Sequence, residues 1–123
     1  MSGKSDRLLL LHMRDAIERL EAHLAGVTYE AFSSDWLRQD AVLRQLEVIG
    51  EIGRSLSETF RAHHADVPWS LMVGMRNKIA HDYFDIDLPL AWDTAINDVP
   101  ELKKWLDRVL EEQMGRDSSL RSE

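Results

Sequence analysis

Apolar side chains recur at steps of three and four residues from about Ser5 to Leu24, which predicts an amphipathic helix. The main members of this stripe are Leu9, Met13, Ala16, Leu20 and Leu24. Gly26 then breaks the pattern, and the polar residues 33–35 offer a helix N-cap immediately before Trp36. The chain therefore begins with one amphipathic helix, followed by a short break before the next.

The second apolar stripe is the most regular in the chain and predicts a long helix from Trp36 to about Phe60. It consists of Val42, Leu46, Ile49, Gly53, Leu56 and Phe60. Two glycines, Gly50 and Gly53, lie one turn apart inside this helix, where each costs about 1 kcal/mol relative to alanine. We expect another helix or a partner backbone to pack very closely against them.

A third helix follows the predicted loop 63–67. Pro68 suits the first turn of this helix, because a proline lacks the N–H group that would have no partner there. The regular pattern ends near Tyr83. The segment 85–89 is predicted to form a second loop, with an aspartate cap and a proline at the start of the next helix.

The last helical segment extends to Met114, and Pro100 should kink or split it. Tryptophans at positions 36, 69, 92 and 105 head or occupy apolar stripes, so we expect them to pack in the core or at an interface. No stretch alternates with the period of two that a half-buried strand requires. The sequence predicts an all-α bundle of four or five helices over 1–114, with a polar, disordered tail at 115–123.

Composition narrows the class of protein further. The 123 residues include no cysteine, 22 acidic and 15 basic side chains, and a net charge of −7. One soluble domain is expected, and disulfides, cysteine-ligated zinc and thiol catalysis are excluded. No apolar run approaches the roughly 20 residues of a membrane span and no secretory signal is recognisable, so we expect a cytoplasmic protein. The negative charge argues against a protein that coats nucleic acid, although it leaves room for one small basic cleft.

The most unusual part of the sequence is the segment 75–85, where several chemically capable side chains are concentrated. They are Arg76, Asn77, Lys78, His81 and Tyr83. A histidine can accept and donate a proton near neutral pH, and an arginine presents a fixed set of donors to a phosphate. Without a metal cluster, this combination suits cleavage of a phosphodiester by its own 2′-hydroxyl group.

The spacing of Arg76 and His81 leaves the geometry of such a site open. Five residues turn an ideal helix by about 140°, so the two side chains do not lie on one face. They could converge if the helix ends or distorts near His81, if the arginine stem reaches round, or if the site lies between two copies of the chain. Alternatively, both residues simply offset the helix dipole. Glu51, on the preceding helix, could orient Arg76 or His81, or could be solvated.

Two segments of the chain resemble a known family. The first holds Val67-Pro68-Trp69, Gly74-Met75-Arg76-Asn77 and His81-Asp82-Tyr83-Phe84. It is similar to the signature of HepT-like proteins, which belong to the HEPN superfamily. The run 44–51 is similar to the second-helix pattern of the same family, and the resemblance extends from about Leu8 to Leu110. The chain is thus identified as a candidate member of this family.

The resemblance implies a HEPN-type bundle that forms a homodimer and acts as the toxin of a toxin-antitoxin system. Such a toxin is a metal-independent endoribonuclease that needs no cofactor and cleaves RNA at the dimer cleft through an Arg-x4-His motif. Arg76 would stabilise the phosphate in the transition state, and His81 would transfer protons. Asn77 and Glu51 would support the site.

The resemblance also implies how the activity is controlled. The antitoxin would be an MntA-like minimal nucleotidyltransferase that transfers AMP to Tyr83, adding bulk and negative charge where RNA must enter. A rival hypothesis is a catalytically silent helical module that binds the nucleotidyltransferase or a nucleotide. A third is a purely structural bundle, which the concentration of polar residues in the motif makes the weakest of the three.

Overall fold

The computed structural model describes residues 2–81 and 85–121, with side-chain environments for 6–81 and 85–113. Its helices are α1 (Ser2–Leu24), α2 (Tyr29–Ser33), α3 (Trp36–Ser55), α4 (Glu58–His63), α5 (Trp69–His81), α6 (Leu88–Asp93) and α7 (Val99–Arg121), with a π-helical turn at Thr94–Asp98. No strand is present in the described ranges, so the predicted all-α class is confirmed. The proposed division into a domain at 1–114 and a polar tail stays a prediction.

Helix α3 occupies the centre of the bundle. It packs against α1 on one side and against α5 on another, and α7 closes the bundle by packing against α1. The apolar stripes predicted from the sequence meet in one core, whose most deeply buried side chains are Leu10, Met13, Ile17, Leu20, Phe32, Val42, Leu56 and Leu106. Burial of these stripes is the main driving force for the fold.

Side-chain caps set the ends of several helices. The Asp35 carboxylate accepts a hydrogen bond of 3.1 Å from the Arg38 N–H group and so begins α3. Asp87 does the same for the Leu90 N–H group at 3.1 Å, with Pro89 in the first turn of α6. Both caps were predicted, and both are confirmed.

The second helix is shorter than predicted, because a second cap interrupts its apolar stripe. α3 ends at Ser55, and the Ser57 hydroxyl then caps α4 by accepting from the Phe60 N–H group at 3.1 Å. The buried Asp6 carboxylate of α1 accepts from the N–H group of Ser57 at 2.9 Å and from its hydroxyl at 2.7 Å. A contact 51 residues away in sequence therefore fixes the break, and periodicity alone could not reveal it.

Pro100 interrupts the last helical segment as predicted. The π-helical turn Thr94–Asp98 precedes it, and the Val99 N–H group donates to the Thr94 carbonyl oxygen, five residues back. A wider turn accommodates the missing N–H group and the ring of a proline without ending the helix.

The four tryptophans differ in how deeply they are buried. Trp105 is buried, and Trp69 and Trp92 are half-buried in aromatic clusters, but Trp36 at the start of α3 is 66% exposed. Of the two predicted locations, core and interface, the core is therefore wrong for Trp36, and the interface stays a prediction.

Candidate active site

Helix α5 carries the polar motif and is fixed to the bundle at both ends. At its start, the indole N–H group of Trp69 donates a hydrogen bond of 2.9 Å to the His64 carbonyl oxygen. Near its end, Ile79 is 2% exposed and belongs to the core. The axis and rotation of α5 are therefore set by packing, and so is the direction in which each motif residue projects.

The glycines of α3 allow α5 to approach closely. A Cβ atom added to Gly50 would lie 2.7 Å from the Met72 carbonyl oxygen and would overlap the Cβ atom of Arg76. A Cβ atom on Gly53 would lie 3.3 Å from the Met72 methyl group. The close packing predicted from these glycines is confirmed, and the closely packed helix is the one that carries the motif.

The Arg76 side chain lies against α3 with its guanidinium near the surface, and 22% of the side chain is exposed. Its Nε atom is buried and lies 2.9 Å from Oε1 of Glu51, an ion pair without an aligned hydrogen bond among the described residues. Its Nη1 atom donates a hydrogen bond of 3.0 Å to the side-chain oxygen of Asn77. Two neighbours thus restrain the guanidinium before any ligand arrives.

Glu51 lies between two arginines rather than in free solvent. Besides its ion pair with Arg76, it accepts hydrogen bonds from Nη2 of Arg54 at 3.0 and 3.3 Å. The hydrogen bond from Arg54 and the positive charges of Arg54 and Arg76 lower the pKa of Glu51, although partial desolvation opposes them. The carboxylate therefore stays ionised and holds both guanidinium groups.

His81 lies apart from this cluster. It is the last residue of α5 and is exposed. Because α5 is α-helical from Trp69 to His81, no distortion brings His81 round to Arg76, and the two project about 140° apart. The arginine stem does not turn toward His81 either, because its guanidinium contacts Glu51.

Tyr83, the predicted modification site, lies outside the described residues. Arg54, by contrast, is a described member of the arginine cluster that the motif alone did not indicate. The sequence contains one indication of this contact: Arg54 lies three residues after Glu51, which places both on one face of α3.

A groove of about 640 Å³ opens between α3, α5 and the α6–α7 segment. We call it the α5–α7 groove. Apolar side chains dominate its lining, and Leu71 and Leu90 are 73% and 40% exposed. Its rim carries both signs of charge: Lys78, Arg108, Asp66, Asp98 and Glu101. Lys78 lies one turn before His81 on α5 and is the lining residue of the groove nearest to the histidine in sequence.

Among the described residues, no three histidine, aspartate or glutamate side chains converge as a metal-binding group. Likewise, none of the described helices is long and apolar enough to cross a membrane.

Comparison with known proteins identifies the family. Residues 13–109 match the family model described as ribonuclease HepT-like. A protein of Caldanaerobacter subterraneus subsp. tengcongensis, provisionally named an RNase, is 34% identical over 110 residues, covering 89% of this chain and 98% of that protein. "Probable ribonuclease HepT" of Thermococcus cleftensis is 36% identical over 100 residues, covering 81% and 91%. No solved structure matches the chain. Because the family model and these relatives span most of its length, the chain belongs to the family of HepT-like ribonucleases.

Proposed function

We propose that this chain is a metal-independent endoribonuclease toxin that acts in the cytoplasm as a homodimer and cleaves RNA with Arg76 and His81. The observation that carries the proposal is the restrained guanidinium of Arg76, which Glu51 and Asn77 hold at the surface. A guanidinium fixed in advance at the place where negative charge develops stabilises a transition state at little reorganisation cost.

In the proposed reaction, the 2′-oxygen of a ribose attacks the adjacent phosphorus and the bond from phosphorus to the 5′-oxygen breaks. The 2′-hydroxyl gives up a proton and the leaving 5′-oxygen takes one up. His81 is the proton carrier, because an exposed imidazole can exchange protons near neutral pH. Arg76 balances the negative charge that builds up on the phosphate oxygens.

We infer that a second copy of the chain is needed to bring Arg76 and His81 to the same phosphate. Arg76 faces Glu51 on α3 while His81 projects in another direction, so one chain does not present both to one phosphate. The α5–α7 groove fits a second copy, because its apolar lining is exposed and its rim carries charges of both signs that a two-fold partner can pair. We infer that the active site is a cleft between two α5 helices.

The proposed control of this activity is transfer of AMP to Tyr83. The tyrosine oxygen would attack the α-phosphorus of ATP and pyrophosphate would leave, with an MntA-like nucleotidyltransferase antitoxin as the enzyme. Tyr83 lies two residues beyond His81. An added phosphate there would repel an anionic substrate from the histidine.

The direct test is His81→Ala. Removing the proton carrier should lower cleavage of purified RNA by about a hundredfold or more and abolish growth arrest on expression, with the dimer intact. His23→Ala, a change to a histidine of α1, is the control and should cleave like the wild type. Retained cleavage by His81→Ala would contradict the assignment. A wild-type dimer that never cleaves RNA would instead indicate the silent interaction module.

A further inference from the structure

Glu51 holds two arginines, and the proposed reaction uses only one of them. Its Oε1 atom lies 2.9 Å from Nε of Arg76, and its Oε2 atom lies 3.0 Å from Nη2 of Arg54. Two guanidinium groups around one carboxylate carry a net charge of one positive unit. The cluster is therefore a small cationic site in a protein whose overall charge is −7.

The two arginines differ in exposure. The Arg54 side chain is 54% exposed, compared with 22% for Arg76. The contact of Arg54 with Glu51 uses Nη2 alone, so Glu51 does not engage the Nε and Nη1 groups of Arg54. Solvent screens this exposed ion pair, so it restrains Arg54 only weakly and leaves the side chain able to contact an anion.

Both guanidinium groups contact Oε1 of Glu51, Arg76 through Nε at 2.9 Å and Arg54 through Nη2 at 3.3 Å, so they lie next to each other. A strand that places one phosphate at Arg76 would thus place a neighbouring phosphate near Arg54. Planar guanidinium groups suit this contact, because they bind phosphate oxygens through paired donors.

We propose that Arg54 forms a phosphate subsite for single-stranded RNA beside Arg76, with Glu51 holding the two arginines as a pair. The subsite rests on the proposed function, since it binds the phosphate next to the one that is cleaved. Arg54 binds substrate and takes no part in proton transfer. Its loss should therefore weaken binding and leave the chemical step largely unchanged.

The chain offers a matched control on the same helix. Arg44 also pairs with a glutamate three residues away, Glu47 at 3.8 Å, and its side chain is 68% exposed. It lies ten residues, or about 15 Å, before Arg54 on α3. Arg44→Ala and Arg54→Ala thus remove the same charge and a similar surface pair, and only Arg54 adjoins Arg76.

The experiment measures binding of a labelled single-stranded oligoribonucleotide by fluorescence anisotropy, in the His81→Ala background so that the RNA stays uncut. Arg54→Ala should raise the Kd about tenfold and reduce the slope of log Kd against log salt concentration by about 0.7. Arg44→Ala should change the Kd less than about twofold, and Arg54→Lys should restore the salt slope.

Two results would overturn the subsite: equal losses in Arg54→Ala and Arg44→Ala, or no loss in Arg54→Ala. Cleavage is measured separately, in the wild type. If the wild type binds RNA through Arg54 without cutting it, the proposed reaction fails and the subsite stands. If the wild type cuts RNA and Arg54→Ala binds normally, only the subsite fails.

Discussion

At the scale of single residues, the proposed chemistry depends on which side chains contact the guanidinium of Arg76. The motif indicates Arg76, and the family resemblance implies a supporting role for Glu51. Only the contact between α3 and α5 shows that Glu51 links Arg76 to Arg54. Glu47, with the same residue type one turn earlier, pairs with Arg44 instead. Two glutamates with similar sequence surroundings thus differ in role because only one of them faces the arginine of α5.

Tyr83 is the proposed site of AMP transfer. Incubation of the protein with the proposed nucleotidyltransferase and ATP should increase the intact mass by whole AMP units and should inhibit RNA cleavage, because the adduct would add charge two residues from His81. Tyr83→Phe lacks the accepting oxygen and should show no increase, whereas Tyr29→Phe, on α2, should be modified like the wild type. Mass spectrometry provides the measurement. An undiminished mass increase in Tyr83→Phe would place the modification elsewhere.

At the scale of helices, the site depends on the distance between α3 and α5. Gly50 sets that distance, because the Met72 carbonyl oxygen and the Arg76 stem occupy the space where a side chain would be. The same close approach brings the Arg76 guanidinium to Glu51, one residue along α3. Gly50, although it weakens α3, therefore helps to position Arg76.

Gly50→Ala should lower the free energy of unfolding by about 1–2 kcal/mol, since backbone overlap outweighs the gain of about 1 kcal/mol in helix propensity. Cleavage should fall further than stability, because α5 and Arg76 must move. Gly74→Ala is the control for stability alone, because Gly74 lines the α5–α7 groove. Within one chain a Cβ atom there meets nothing within 4 Å, so stability should rise by up to about 1 kcal/mol. Denaturant unfolding at matched protein concentration measures the stability of both variants. A stabilised Gly50→Ala variant with full activity would contradict this account.

At the scale of the whole molecule, one chain leaves the apolar lining of the α5–α7 groove exposed. Leu71 is the most exposed of its large apolar side chains, at 73%. An exposed apolar surface of this kind, with rim charges of both signs, is typical of an interface. We infer that pairing through this groove both buries the surface and completes the active site.

Leu71→Arg should therefore raise the dimer dissociation constant by roughly tenfold or more and reduce RNA cleavage in parallel, because it puts a charge into the apolar interface. Leu37→Arg is the matched control, since Leu37 is 66% exposed but lies in the first turn of α3, away from the groove. Sedimentation and cleavage assays at several concentrations measure the outcome. A Leu71→Arg variant that stays dimeric and active would show that the interface lies elsewhere.

The sequence by itself determined the local features of this protein. Its apolar periodicity predicts the all-α class, and the caps at Asp35 and Asp87 predict where two helices begin. The interruption at Pro100 and the close packing at Gly50 could also be predicted, because backbone chemistry and the lack of a side chain act at single positions. The motif residues, together with the family resemblance, predicted a ribonuclease.

Only the tertiary structure decided which partners these residues have. The break after Ser55 depends on Asp6, which is far away in sequence, and the joint hold of Glu51 on Arg54 and Arg76 depends on how α3 meets α5. Arg76 and His81 project in different directions because α5 is helical as far as His81. Contacts between distant segments depend on the packing of whole helices, and a local pattern of residues does not contain that information.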